Sequence, residues 1–170
     1  MTTKSSLANR APLGGSRRIG LPLAAWVALA LLALATPPSG LAAEDFRLSG
    51  LQGGQLTASD VARGNTALVV WASWSPRCRT VAADLDGLAA RWGGKVRIVA
   101  VNFQEDRAAI ESFLAGHELS VPVYLDSDGS FSKAHSVSTL PGLLVFRDGA
   151  VVFHGRFGSD ADDVLREALQ

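Results

Sequence analysis

The run Ala67-Leu68-Val69-Val70-Trp71-Ala72 constrains this 170-residue chain more than any other feature. A strand with one wet face alternates apolar and polar residues, so an unbroken apolar run of strand length must be covered on both faces, in a sheet with helices above and below it. The period then changes. After Ser73-Trp74-Ser75-Pro76, the apolar residues Cys78, Val81, Ala82, Leu85, Leu88, Ala89 and Trp92 recur at offsets of three and four until Gly93-Gly94, which reads as an amphipathic helix. Ser75 at the N-cap followed by Pro76 at the first helical position is a favourable start, worth about 1 kcal/mol over alanine. Cys78 then falls on the inward stripe.

The pattern continues. Residues 96–101 form a second buried strand, and a helix is expected from about Asp106, with Ile110, Phe113, Leu114 and His117 on one face. Val121-Pro122-Val123-Tyr124-Leu125 reads as a short strand, Asp126-Ser127-Asp128-Gly129 as a turn, and Phe131 to His135 as a short helical segment. Residues 143–146 and 151–154 flank Arg147-Asp148-Gly149-Ala150, whose Asp-Gly supplies the positive φ angles of a tight antiparallel hairpin. A closing helix begins at Ser159, with Asp162 three residues on in a capping-box pattern and Val164, Leu165, Ala168 and Leu169 facing the sheet. Upstream, Phe46 to Leu56 is an extended lead-in broken by Gly50, Gly53 and Gly54, followed by one helical turn at Ser59-Asp60-Val61. The whole is an α/β domain over residues 44–170 with an early βαβ unit, a late hairpin and a closing helix.

Residues 1–43 differ in kind. Lys4, Arg10, Arg17 and Arg18 precede an apolar run from Ile19 to Ala35, and no acidic residue occurs before Glu44, the layout of a signal peptide or an N-terminal membrane anchor plus linker. Small residues follow, so a peptidase could cut after Ala42 or Ala43. The expected location is periplasmic or otherwise extracytoplasmic, with membrane contact through this segment if it is uncleaved. Removing the four basic residues of the segment from a total of 16 leaves 12 against 16 acidic ones, so the remainder is mildly acidic. No basic stripe suggests nucleic acid as a partner.

Cys78 is the one cysteine of the sequence, which excludes an internal disulfide and a multi-cysteine metal site. His117, His135 and His154 match no ligand spacing, so neither metal nor cofactor is expected. Trp71 and Trp92 fall on core stripes and read as packing residues.

The stretch Trp71-Ala72-Ser73-Trp74-Ser75-Pro76-Arg77-Cys78-Arg79 resembles the active-site segment of exported thioredoxin-like thiol-disulfide oxidoreductases of the TlpA/ResA kind. The likeness extends over the lead-in, the segment from Val96 to Leu125, Thr139-Leu140-Pro141-Gly142 and the Arg147-Asp148-Gly149 turn. It implies a thioredoxin fold: a central mixed sheet flanked by helices, with an N-terminal extension and a central insert. In that family two cysteines stand where Ser75 and Cys78 stand here, and a glutamate and a proline are common at the positions of Val81 and Ala83. The resemblance also makes Leu140-Pro141 a cis-proline site beside the motif, with Trp74, Pro76, Leu140 and Pro141 receiving extended substrate.

Two functions are open at this level. One is weak or altered redox activity through Cys78, exchanging with exported protein thiols or disulfides while Ser75 caps the helix at the vacated cysteine position. The other is a non-enzymatic module that holds a client protein in the cis-proline groove. A serine hydroxyl stays protonated without a strong adjacent base and has no disulfide chemistry, so attack from that position is lost.

Overall fold

The computed structural model describes residues 45–170, and the export or anchoring segment lies outside the described residues. Seven strands form one sheet: β1 (Arg47–Gly50), β2 (Gln55–Thr57), β3 (Asn65–Trp71), β4 (Arg97–Phe103), β5 (Val123–Asp126), β6 (Gly142–Arg147) and β7 (Ala150–Arg156), in the order β2-β1-β5-β4-β3-β6-β7. β3, β4 and β5 run parallel, and the flanking pairs are antiparallel, so the sheet is mixed as the resemblance implies. The helices are α1 (Ala58–Val61), α2 (Val81–Trp92), α3 (Arg107–Phe113), α4 (Ser130–Ala134) and α5 (Ala161–Ala168).

The apolar run does what its composition demands. Within β3, Val69 and Trp71 join a core with residues of α2, α3 and α5, whereas Leu68 and Val70 join a second core on the opposite face with Val61 of α1 and Phe131 of α4. Each of these side chains is fully buried, contributing about 2 kcal/mol apiece. The Trp71 ring packs against Phe113 with centroids 5.1 Å apart.

Local chemistry sets the connections. Asp148 and Gly149 both take positive φ, 49° and 82°, which closes the β6–β7 hairpin. The glycine-broken lead-in folds back as the β1–β2 hairpin and adds to the sheet edge against β5. Asp126, fully buried at the end of β5, accepts the backbone N–H groups of Phe131 and Ser132 and so fixes the start of α4.

Three local expectations change. The motif helix is split: residues Pro76–Cys78 form a separate 3-10 turn, and α2 begins only at Val81. α5 starts one residue later than expected, with Asp160 at the N-cap, because the Asp162 carboxylate is drawn to α2 instead of capping its own helix. α3 ends at Phe113, so His117 lies beyond it in a turn, where its Nε2 pairs with Asp86 Oδ2 at 2.7 Å.

Candidate functional site

The site lies where β3 gives way to α2. Ala72 ends the apolar run, its carbonyl accepts from the Ser75 N–H at 3.2 Å, and Pro76 enters the 3-10 turn, where its missing N–H costs nothing. The preceding bend is held from below. Glu105 accepts the Ser73 N–H at 2.7 Å and the Ser73 hydroxyl, and it accepts Asn102 Nδ2 at 2.7 Å. Asn102 is a buried polar residue at the end of a strand whose other inward residues are apolar, so the Glu105–Asn102 pair carries the loop on the core. From sequence Glu105-Asp106 reads only as a loop and helix cap. Asp106 does cap α3, through Ala109 N at 2.8 Å, while Glu105 positions the motif.

Ser75 occupies the N-cap position with extended backbone, φ −78° and ψ 119°, but its hydroxyl makes no capping bond. The reason is geometric. Pro76 offers no N–H, and the Cys78 N–H is already bonded to the Ser75 carbonyl at 2.9 Å in the 3-10 turn. Ser75 is 6% exposed, so its position is a nearly closed one.

Cys78 has no accessible surface and belongs to the same apolar core as Trp71, Leu85 and Leu143. Val81, at 1% exposure, places an isopropyl group in that core, which cannot act as a proton acceptor. An exchange partner must approach a sulfur closely enough for S–S bond formation, and here the path is filled by packed side chains.

Beside the Ser75–Arg77 stretch lies an open groove of about 550 Å³. Trp74, Pro76 and Leu140 line it together with Phe103 and Val137, and Trp74 is 61% exposed, a large apolar ring left in water. Ser132 borders it, and its buried hydroxyl has no hydrogen-bond partner among the described residues. The Leu140–Pro141 peptide is cis. Pro141 itself is buried and faces a different concavity, so of the four residues expected to receive substrate, three share the groove and one does not. Gly142 follows because a Cβ there would stand 2.9 Å from both the Thr139 carbonyl oxygen and Val137 Cγ1.

The remaining candidates separate. His135 Nδ1 donates to the Phe131 carbonyl at 2.9 Å, His117 pairs with Asp86, and His154 is exposed on β7. No cluster of three or more potential metal ligands occurs among the described residues. Trp92 ties α2 to α5 by donating its Nε1 proton to Asp162 at 2.6 Å. Asp162 also pairs with Arg91, and these hydrogen bonds, with Arg91 first, hold its carboxyl below the ordinary 3.8.

The sequence matches the Redoxin family over residues 38–165. It is 27% identical over 133 residues to the thiol-disulfide oxidoreductase ResA of Bacillus thuringiensis subsp. konkukian, covering 77% of this chain and 76% of that protein. It is 28% identical over 169 residues to the thiol:disulfide interchange protein DsbE of Allochromatium vinosum, covering 91% and 92%. A secreted Mycobacterium tuberculosis disulfide oxidoreductase superposes with a TM-score of 0.60 at 22% identity, over 73% of this chain and 94% of that one.

Proposed function

The chain belongs to the Redoxin family, among thioredoxin-fold relatives of the TlpA/ResA thiol-disulfide oxidoreductase kind, and from that premise we propose that it is an extracytoplasmic docking protein that binds extended client segments without a two-thiol redox cycle. The observation that carries this reading is the contrast within one motif: Cys78 has no accessible surface, whereas Trp74, four residues earlier, is 61% exposed on an open apolar groove. The chemistry has been withdrawn and the binding surface kept.

The groove suits an extended chain. Trp74, Phe103 and Leu140 offer apolar area to one client side chain, and backbone N–H groups of residues 138–140, which make no hydrogen bond among the described residues, are free to pair with its main chain. The basic, apolar N-terminal segment supports an extracytoplasmic setting. Clients are therefore exported proteins or the unfolded segments of assembling ones.

Two assays test the reading together. Reduction of insulin disulfides should run at the buffer-only rate with the wild type and with Cys78→Ala alike. Binding of permanently unfolded, reduced and carboxymethylated α-lactalbumin should weaken about tenfold in Trp74→Ala, a loss typical of a central aromatic anchor, and be retained in Cys78→Ala. Cys78-dependent turnover above background would favour the redox reading and overturn this one.

A further inference from the structure

A second concavity, of about 470 Å³, adjoins the groove. Arg77 lines both, and the consecutive residues Leu140 and Pro141 line one each. Its charge is lopsided. Arg77, Arg91 and Arg156 line it against one carboxylate, Asp84, in a domain whose acidic residues outnumber its basic ones.

The pairing within the cavity sharpens the contrast. Arg91 is held by Asp162 at 3.0 Å, and Asp84 accepts the Thr80 hydroxyl at 2.8 Å. Arg77 and Arg156 have neither a carboxylate nor a carbonyl partner among the described residues. Two guanidinium groups thus line the concavity without an ion-pair partner, against the single lining carboxylate of Asp84. Arginine forks match carboxylates in bidentate geometry, and a concave low-dielectric wall strengthens the attraction over that at a flat surface.

Resting on the docking reading above, we infer that the client is an acidic peptide segment: an apolar side chain enters the Trp74 groove, and a carboxylate a few residues along the same extended chain enters the arginine cavity. Successive residues of an extended chain advance about 3.3 Å, so two or three residues span neighbouring cavities. Arg77 forms the shared wall and reads the junction between the two.

The test is fluorescence anisotropy on the full chain with three labelled octapeptides. Each carries one leucine in a glycine–serine background, followed by two glutamates, two glutamines or two lysines. The glutamate peptide should bind about tenfold more tightly than the glutamine peptide, the scale of one charge-assisted hydrogen bond, and the lysine peptide most weakly. Arg77→Gln combined with Arg156→Gln should bring the glutamate-to-glutamine ratio to within about twofold of unity. Equal binding of the three peptides to the wild type, still released by Trp74→Ala, would overturn the acidic preference and leave docking intact. A tenfold preference that survives in the double variant would overturn the role of these arginines. Failure of all three peptides to bind would overturn the docking reading and this inference with it.

Discussion

Ser75 and Cys78 stand three residues apart and differ from a redox pair by one atom, sulfur for oxygen, at Ser75. The consequence is testable in both directions. Ser75→Cys places a second thiol across the 3-10 turn, where the Cys78 N–H already bonds to the backbone carbonyl of residue 75. The expected outcome is an intramolecular disulfide on air oxidation, read as a loss of two mass units and of both titratable thiols under denaturing conditions. Two free thiols after oxidation would show that the turn no longer permits the bond. Glu105 is the other decisive residue. Glu105→Ala removes the acceptor for Ser73 and Asn102, leaving the buried Asn102 amide unpaired, and should cost about 2 kcal/mol in urea unfolding. It should also raise amide hydrogen exchange in residues 72–75. The sequence announces Ser75 and Cys78 openly, because the motif is local. Glu105 is illegible there because its partner Ser73 lies 32 positions away.

At the scale of elements, the strands and the start of α3 at the Asp106 cap are legible in the sequence, whereas the starts of α2 and α5 are not. An unbroken apolar run such as residues 67–72 has only one way to be buried, whereas Ser159 and Asp162 form a plausible local cap that a distant contact overrides. The winning contact is the clamp between α2 and α5, in which Asp162 receives Arg91 and the Trp92 indole. Asp162→Asn should lower stability by about 1 kcal/mol, less than is usual for charged hydrogen bonds because the carboxylate is partly exposed. The pH dependence has a definite sign. Because the folded carboxyl titrates below its ordinary value, its stabilisation is present above about pH 4 and is lost as pH falls through the lowered folded value. Asp86, held low first by the Ser120 hydroxyl and then by the Ser120 N–H and His117, behaves the same way. Acid titration by circular dichroism should therefore show a flatter stability profile below pH 4 in Asp162→Asn with Asp86→Asn than in the wild type. An unchanged slope would remove both carboxylates from the acid response.

For the molecule as a whole, the order of elements was legible because each element carries its own periodicity, and the resemblance supplied the sheet they share. The surface was not. Leu140 and Pro141 are neighbours in sequence yet line different concavities, and Arg77 and Arg156 converge from residues 79 positions apart. Such convergence is created only by the sheet, which sets Arg156 opposite Gly142 in the β6–β7 ladder. The molecule that results has a covered thiol, an uncovered tryptophan and a basic cavity beside it.

The reactivity of Cys78 in the native protein tests that account most directly. Dithionitrobenzoate added to the folded full chain should react at least about a thousandfold more slowly than in unfolding urea, because a thiol without accessible surface reacts only through opening of the core. Stoichiometric modification within seconds, at a rate close to that of the unfolded chain, would mean that Cys78 meets partners in the native state and would contradict the account.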